Sequence, residues 1–182
     1  MKRINQNLRQ KRNSAFYFLF SIFCIILLSI FYFLFSSSAV QAATLYFSPS
    51  SGSHKVGGTF SAGIYVSSPE QAMNAASGVI SFPQNKLEVI SLSKTGSIFN
   101  LWVQEPLFSN SAGTINLEGI VLNPGFIGSA GKIITISFRA KSTGSAYLSF
   151  SSGSVLANDG RGTNILTGMS SGNYNIQSTT IA

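Results

Sequence analysis

The chain has 182 residues and a formal net charge of +7, from 12 Lys and Arg against 5 Asp and Glu. Five of the basic residues lie in a head that has no acidic residue, so the rest of the chain carries only +2 (7 minus 5); they are Lys2, Arg3, Arg9, Lys11 and Arg12. The other basic residues are scattered singly, whereas a nucleic-acid binder clusters them on one face. We therefore expect no nucleic-acid partner.

Residues 1–42 have the three parts of a secretory signal. The basic head is followed by an apolar run at 15–35 and then by small residues that include Val40 and Ala42. This is the pattern that a signal peptidase reads. We predict a signal peptide cleaved between Ala42 and Ala43, and an extracellular or cell-surface location for the remainder.

The apolar run at 15–35 is also long enough to cross a membrane. Its 21 residues would make a helix of roughly 31 Å, against a hydrocarbon core of about 30 Å. An uncleaved N-terminal anchor, with its basic end in the cytoplasm, is therefore the alternative. Membrane contact is expected only through this segment. Cys24, the one cysteine, lies in it, so the exported part has no thiol for a disulfide.

From Ala43 onward the apolar residues recur with a period of two, which is typical of β-strands. The pattern is clearest at 59–67 and 133–140. Shorter runs are separated by Gly, Pro and Asn turn residues; they lie at 45–47, 79–82, 87–92, 114–122, 146–150, 155–156 and 174–176. The sequence predicts one all-β sandwich domain over 43–177, preceded by the hydrophobic signal or anchor helix and followed by a disordered tail at 178–182.

Residues 81–90 predict a tight turn between two strands. Pro83 presets φ for the first corner, and Asn85 tolerates the left-handed region. We expect the strands on either side to fold back on each other as a hairpin.

Several stretches of the chain resemble the cohesin family. Residues 56–60 and 78–89 resemble the opening half of a cohesin domain, 131–146 its late paired strands, and 158–160 its final turn. The resemblance covers about 44–176 and implies a jelly-roll β-sandwich of about nine strands, a superfamily fold shared with carbohydrate-binding modules.

The resemblance also implies a function, because cohesins dock onto small dockerin modules through one sheet face and assemble polysaccharide-degrading enzymes. The expected function is an exported, non-catalytic binding module at the cell surface, whose partner is a dockerin-like protein module or a polysaccharide. The alternative is a structural or adhesive surface subunit held by the N-terminal helix.

The residues suited to catalysis are few. His54 is the one histidine, and we expect it to be a solvated turn residue in the loop 52–55. Glycoside hydrolysis needs two carboxylates about 5–10 Å apart. Glu105 and Glu118 could approach across neighbouring strands, but surface charges are the expected interpretation. We predict that the protein is not an enzyme.

No cofactor is expected, with calcium as a weaker alternative. Residues 158–164 place oxygen donors beside a glycine turn, as Ca²⁺ requires. They offer only one carboxylate, Asp159, and carry Arg161 in the middle. A β-turn without an ion is the expected structure.

Two segments, 98–108 and 123–128, carry aromatic and amide side chains suited to a contact surface. A flat aromatic ring beside amides can stack on a sugar or anchor a protein partner. The alternative is that Phe99 and Trp102 close the end of the core. The candidate ligand or partner contacts are Phe99, Asn100, Trp102, Gln104, Phe108, Asn123 and Phe126.

Overall fold

The computed structural model describes residues 22–26 and 42–179. Contacts divide the chain into two units, 1–40 and 41–182. In the first unit, residues 22–26 are helical. Most of the apolar run at 15–35 and the last three residues of the tail lie outside the described residues, so the leader and anchor remain predictions. In the described ranges no helix has the length and apolar character needed to span a bilayer.

Residues 42–179 form ten strands. In chain order they are β1 (Ala43–Ser48), β2 (Ser51–Lys55), β3 (Thr59–Ser81), β4 (Leu87–Ser93), β5 (Leu101–Ser109), β6 (Thr114–Ile120), β7 (Phe126–Ala140), β8 (Gly144–Ala157), β9 (Leu166–Met169) and β10 (Gly172–Gln177).

The 23-residue strand β3 belongs to two layers. Residues 59–68 pair with β1 and β7, and residues 73–81 pair with β6 and β8. The register slips between Ser68 and Met73, next to the exposed Pro69. Proline has no N–H to give to a ladder, so the pairing is interrupted there and the strand changes partners.

Layer one contains, in spatial order, β9, β1, residues 59–68 of β3, β7 and β4. Layer two contains residues 149–157 of β8, residues 73–81 of β3, β6 and β5. Residues 144–148 of β8 pair with β10, which also pairs with β2.

The core lies between the inward faces of these layers. Ile64 and Ile136 from layer one and Ile80 from layer two are fully buried. Phe47 of β1 meets Phe150 of β8 with ring centroids 4.9 Å apart. Burial of such a side chain contributes about 1.5–3 kcal/mol. The prediction of an all-β sandwich is therefore confirmed.

The predicted hairpin at 81–90 is wrong, although the turn exists. The N–H groups of Lys86 and Leu87 both donate to the carbonyl of Pro83, at 2.9 Å. However, β4 pairs with β7, because β6 and β8 already occupy both edges of residues 73–81 of β3. The turn therefore carries the chain from layer two to layer one.

The loop predicted around His54 is also wrong, because residues 51–55 form β2 against β10. The His54 ring stacks on Phe60 with centroids 4.0 Å apart and an interplanar angle of 4°. His54 is half-buried, and this desolvation lowers its pKa. Its role in the fold is packing beside the core.

Candidate functional site

Layer two has an outer face that is open to solvent. Along β3 the residues Ala76 and Ile80 are buried, so the residues at 75, 77, 79 and 81 point outward, because strand side chains alternate between faces. In β6 the buried Ile115 and Leu117 likewise leave 114, 116, 118 and 120 outward.

The strand register arranges these outward residues in four rows, each crossing β8, β3, β6 and β5 in that order. The rows are Leu156, Ala75, Ile120 and Leu101; Ser154, Ser77, Glu118 and Gln104; Ser152, Val79, Asn116 and Leu107; and Ser149, Ser81, Thr114 and Ser109. We call this surface the layer-two face.

The layer-two face combines apolar groups with small hydroxyls and very little charge. Leu101 and Leu107 are each 54% exposed. Glu118 is the one charged residue in the four rows. The hydroxyls of Ser77 and Ser154 lie 2.9 Å apart and bond to each other across the strands. Exposed leucines on a sheet of short side chains form a flat surface typical of protein docking.

The outer face of layer one differs in charge. It carries the ion pair between Arg139 and Glu88, with Nη1 and Oε1 2.8 Å apart, and it also carries Lys132 on β7. Charges of this kind are depleted from the centres of protein interfaces. The layer-two face is therefore the better candidate for a docking surface.

The structure places Phe99 in the core and not on a surface. Phe99 is 6% exposed, and its ring lies directly over Gly119 of β6. Trp102 packs edge-on against Phe99 with centroids 5.0 Å apart. The expectation that Phe99 is a contact residue is thereby corrected: the alternative, that these two rings close the core, describes the packing.

Trp102 is also covered from outside. The Nζ of Lys94 lies 5.8 Å from the centroid of the Trp102 ring, and the same ammonium group pairs with Glu105 at 2.7 Å. A sugar-stacking platform needs a free ring face, so this arrangement makes Trp102 a poor one.

The other predicted contact residues are dispersed. Gln104 lies on the layer-two face, opposite Glu118, and Phe108 is 40% exposed on the same edge strand. The Asn100 side-chain oxygen accepts from the N–H of Leu122 at 2.9 Å, so Asn100 holds a loop.

The loop 123–128 is held by hydrogen bonds as well. The Asn123 side-chain oxygen accepts from the Asn158 amide at 3.2 Å, and the half-buried Phe126 begins β7. The structure brings Gln104 into the rows of the layer-two face and leaves Asn123 and Phe126 outside them. Whether any of the other six candidates contacts a ligand stays a prediction.

Glu105 and Glu118, the carboxylate pair considered for catalysis, have different surroundings. Glu118 projects from the layer-two face, whereas the Glu105 carboxylate is bound by Lys94. The oxygens of Asp159 accept from the Thr163 hydroxyl and from the N–H of Arg161. These hydrogen bonds lower the pKa of Asp159, and its carboxylate organises the turn.

The calcium alternative also stays a prediction. In the ranges 22–26 and 42–179 no group of three or more His, Cys, Asp or Glu residues could hold a metal ion.

Most of the layer-two face could not be found from the sequence. Its most exposed apolar residues lie in β5, where two bulges disturb the alternation of inward and outward side chains. One usable signal was the serine-rich run 149–154, because short side chains on successive strand positions make a flat surface.

No family model and no curated protein matches this sequence. Solved structures do match the fold. A type I cohesin–dockerin complex of OlpC from Clostridium thermocellum matches with a TM-score of 0.65 and 14% identity, over 79% of this chain and 99% of the other.

Two further cohesins match over a similar length. The sixth cohesin of Acetivibrio cellulolyticus scaffoldin B, in complex with a Cel5 dockerin, matches with a TM-score of 0.61 and 17% identity, over 75% of this chain and 99% of the other. The cohesin module of a Clostridium perfringens family 33 glycoside hydrolase matches with a TM-score of 0.59 and 12% identity, over 78% and 100%. The chain therefore has the fold of a cohesin module, as the resemblance in its sequence implies.

Proposed function

We propose that this protein is a non-catalytic docking module that binds a dockerin-type protein through its layer-two face. The observation that carries the proposal is the face itself: exposed Leu101 and Leu107 on a flat, serine-rich sheet with Glu118 as its one charge. The dockerin complexes of the Clostridium thermocellum and Acetivibrio cellulolyticus cohesins support this choice of partner.

The geometry favours a protein partner over a small ligand. The rows of the layer-two face span four strands that lie about 4.7–4.9 Å apart. A broad, flat, largely neutral surface can bury the apolar anchors that dominate protein interfaces. Glu118 then selects partners that present a donor or a cation opposite it.

The test is a binding titration of the purified protein against a panel of dockerin modules, including those of the two complexes above. We expect at least one dockerin to bind, and Leu107→Lys to weaken that binding by about tenfold or more, because an exposed apolar anchor is replaced by a charge.

The matched control is Ile90→Lys. Ile90 is 42% exposed on β4 of layer one, so this change adds the same charge at an exposed apolar position away from the layer-two face. Equal loss of binding in both variants, or no binding by any dockerin, would contradict the proposal.

We further propose that the module acts outside the cytoplasm, at the cell surface or in the medium, in the assembly of enzymes that break down polysaccharides. The basic head and the apolar run at 15–35 support export. Retention of that run in the mature protein would instead favour the structural or adhesive subunit.

A further inference from the structure

The outer face of layer one contains an open depression of about 720 Å³ beside β1. It is lined by β1, by the loop that follows it, and by single residues from β2, β3, β7 and the segment after β9. None of the lining residues is charged. The depression lies on the layer opposite the proposed docking surface.

The lining is dominated by hydroxyl groups that are free to bond to a ligand. In the described part of the chain, the lining side chains with a hydroxyl and no hydrogen-bond partner include Thr44, Ser48, Ser67, Ser129 and Ser170. Each hydroxyl is one donor and two acceptors, and it can rotate to suit its partner. This set of hydroxyls suits a ligand whose own groups both donate and accept hydrogen bonds.

An ordered aromatic pair lies at this depression. Tyr46 lines it and stacks on Tyr65 of β3, with ring centroids 5.6 Å apart and an interplanar angle of 23°. The Tyr46 hydroxyl reaches across β3 and donates to the carbonyl of Ser129 on β7, at 2.9 Å. The ring is thus fixed at both ends.

Gly63 explains why Tyr65 can lie close to the sheet. A Cβ at Gly63 would stand 2.6 Å from Cε2 of Tyr65, so any larger residue would lift the ring. The glycine lets the Tyr65 ring lie close to the backbone of β3, where it stacks on Tyr46.

We propose that this depression binds a neutral oligosaccharide chain, with one sugar ring on Tyr46 and its hydroxyls bonded to the surrounding serines and Thr44. A flat aromatic ring contributes apolar area to the less polar side of a sugar. Sugar hydroxyls both donate and accept, as the lining does. An anionic ligand would instead need a basic group, and the lining has none.

The experiment measures retention of the purified full-length protein on neutral polysaccharides: a soluble β-glucan, a mannan and a neutral xylan. Polygalacturonate and a proline-rich peptide are run beside them. We expect retention by at least one neutral polysaccharide and by neither of the other two. Tyr46→Ala should weaken it by about tenfold or more.

The matched control is Tyr147→Ala. Tyr147 is a 60% exposed tyrosine on β8 that does not line the depression, so the Tyr147→Ala variant should bind polysaccharide like the wild type.

A second test variant is Ser170→Arg, at an exposed position, which fills the depression without removing a packed ring. It should abolish retention while the melting temperature and dockerin binding stay unchanged.

Three results would overturn the proposal. The first is that no neutral polysaccharide retains the protein, and the second is that only the acidic polymer or the peptide binds it. The third is that Tyr46→Ala and Ser170→Arg are both retained as well as the wild type. Because the docking surface lies on the other layer, Leu107→Lys should retain polysaccharide binding, so the two proposals succeed or fail separately.

Discussion

Substitutions at Phe99 and Gly119 are expected to have strongly non-additive effects on the free energy of unfolding. A Cβ added to Gly119 would stand 2.6 Å from Cε2 of Phe99 and closer still to Cδ2. Trp102, opposite Gly119 in the register, packs edge-on against the Phe99 ring with centroids 5.0 Å apart. The ring therefore cannot move aside without disturbing the indole.

The magnitudes follow from these contacts. Phe99→Ala empties a buried site and should cost about 3–5 kcal/mol in the free energy of unfolding. Gly119→Ala overpacks the same site and should cost about 1–3 kcal/mol. In the double variant the new methyl group occupies the space that the ring vacated. The combined cost should therefore fall short of the sum by about 1–3 kcal/mol.

Urea unfolding followed by tryptophan fluorescence is the assay, because Trp102 is the only tryptophan and reports on this cluster. Gly78→Ala is the matched control. Gly78 is also a buried strand glycine, but a Cβ there would stand 3.5 Å from Phe150, an ordinary contact.

The control should therefore change stability by about 1 kcal/mol or less. Costs for Phe99→Ala and Gly119→Ala that add within about 0.5 kcal/mol would refute the reasoning. So would a Gly119→Ala cost no larger than that of the control.

Four further outcomes are expected. Burial lowers the pKa of His54, so the free energy of unfolding, measured by urea titration, should fall as the pH drops below about 6.5. His54→Phe should remove this loss of stability. A His54→Phe variant that still loses stability below that pH would contradict the assignment of the effect to His54. Burial raises the pKa of Tyr174 to about 12, so stability should hold below about pH 10 and fall towards pH 12. Tyr174→Phe should cost about 1 kcal/mol at neutral pH, because the tyrosine hydroxyl donates to the carbonyl of Pro49; a cost near zero in the same titration would contradict that role. The intact mass of the protein recovered from the medium should correspond to a chain that begins after Ala42, whereas a mass that retains 15–35 would indicate the anchor instead.

Much of the sheet could be predicted from alternation, because a half-buried strand must separate apolar from polar residues. This held for 59–67 and 133–140, which lie in β3 and β7, and for 114–122, of which residues 114–120 form β6. It failed for β2, whose residues Ser51, Gly52 and Ser53 carry no apolar pattern, since that strand is held by backbone pairing with β10.

Long-range pairing was harder to predict than the strands. Pro83 and Asn85 indicate a turn, but the partner of the next strand depends on which sheet edges are free. Residues 73–81 of β3 have β6 and β8 on their two edges, and neither neighbour is adjacent to β3 in the chain. A local sequence pattern does not show which strands occupy the two edges of another strand.

The candidate site was the least predictable part. Aromatic residues drew attention to Trp102 and Phe99, yet the residues that define the layer-two face are mainly Ser and Leu. They form a surface only because four strands are placed in register. Tyr46 and Tyr65 are likewise 19 positions apart in sequence and meet only through the pairing of β1 with β3.

The most direct test of the docking proposal is amide hydrogen exchange of the protein with and without a bound dockerin module. Binding at the layer-two face should slow exchange in β5 and β6, above all at the edge-strand residues 101–109, and should leave β1 and β4 unchanged. Protection confined to layer one, or no protection while the dockerin is bound, would contradict the account.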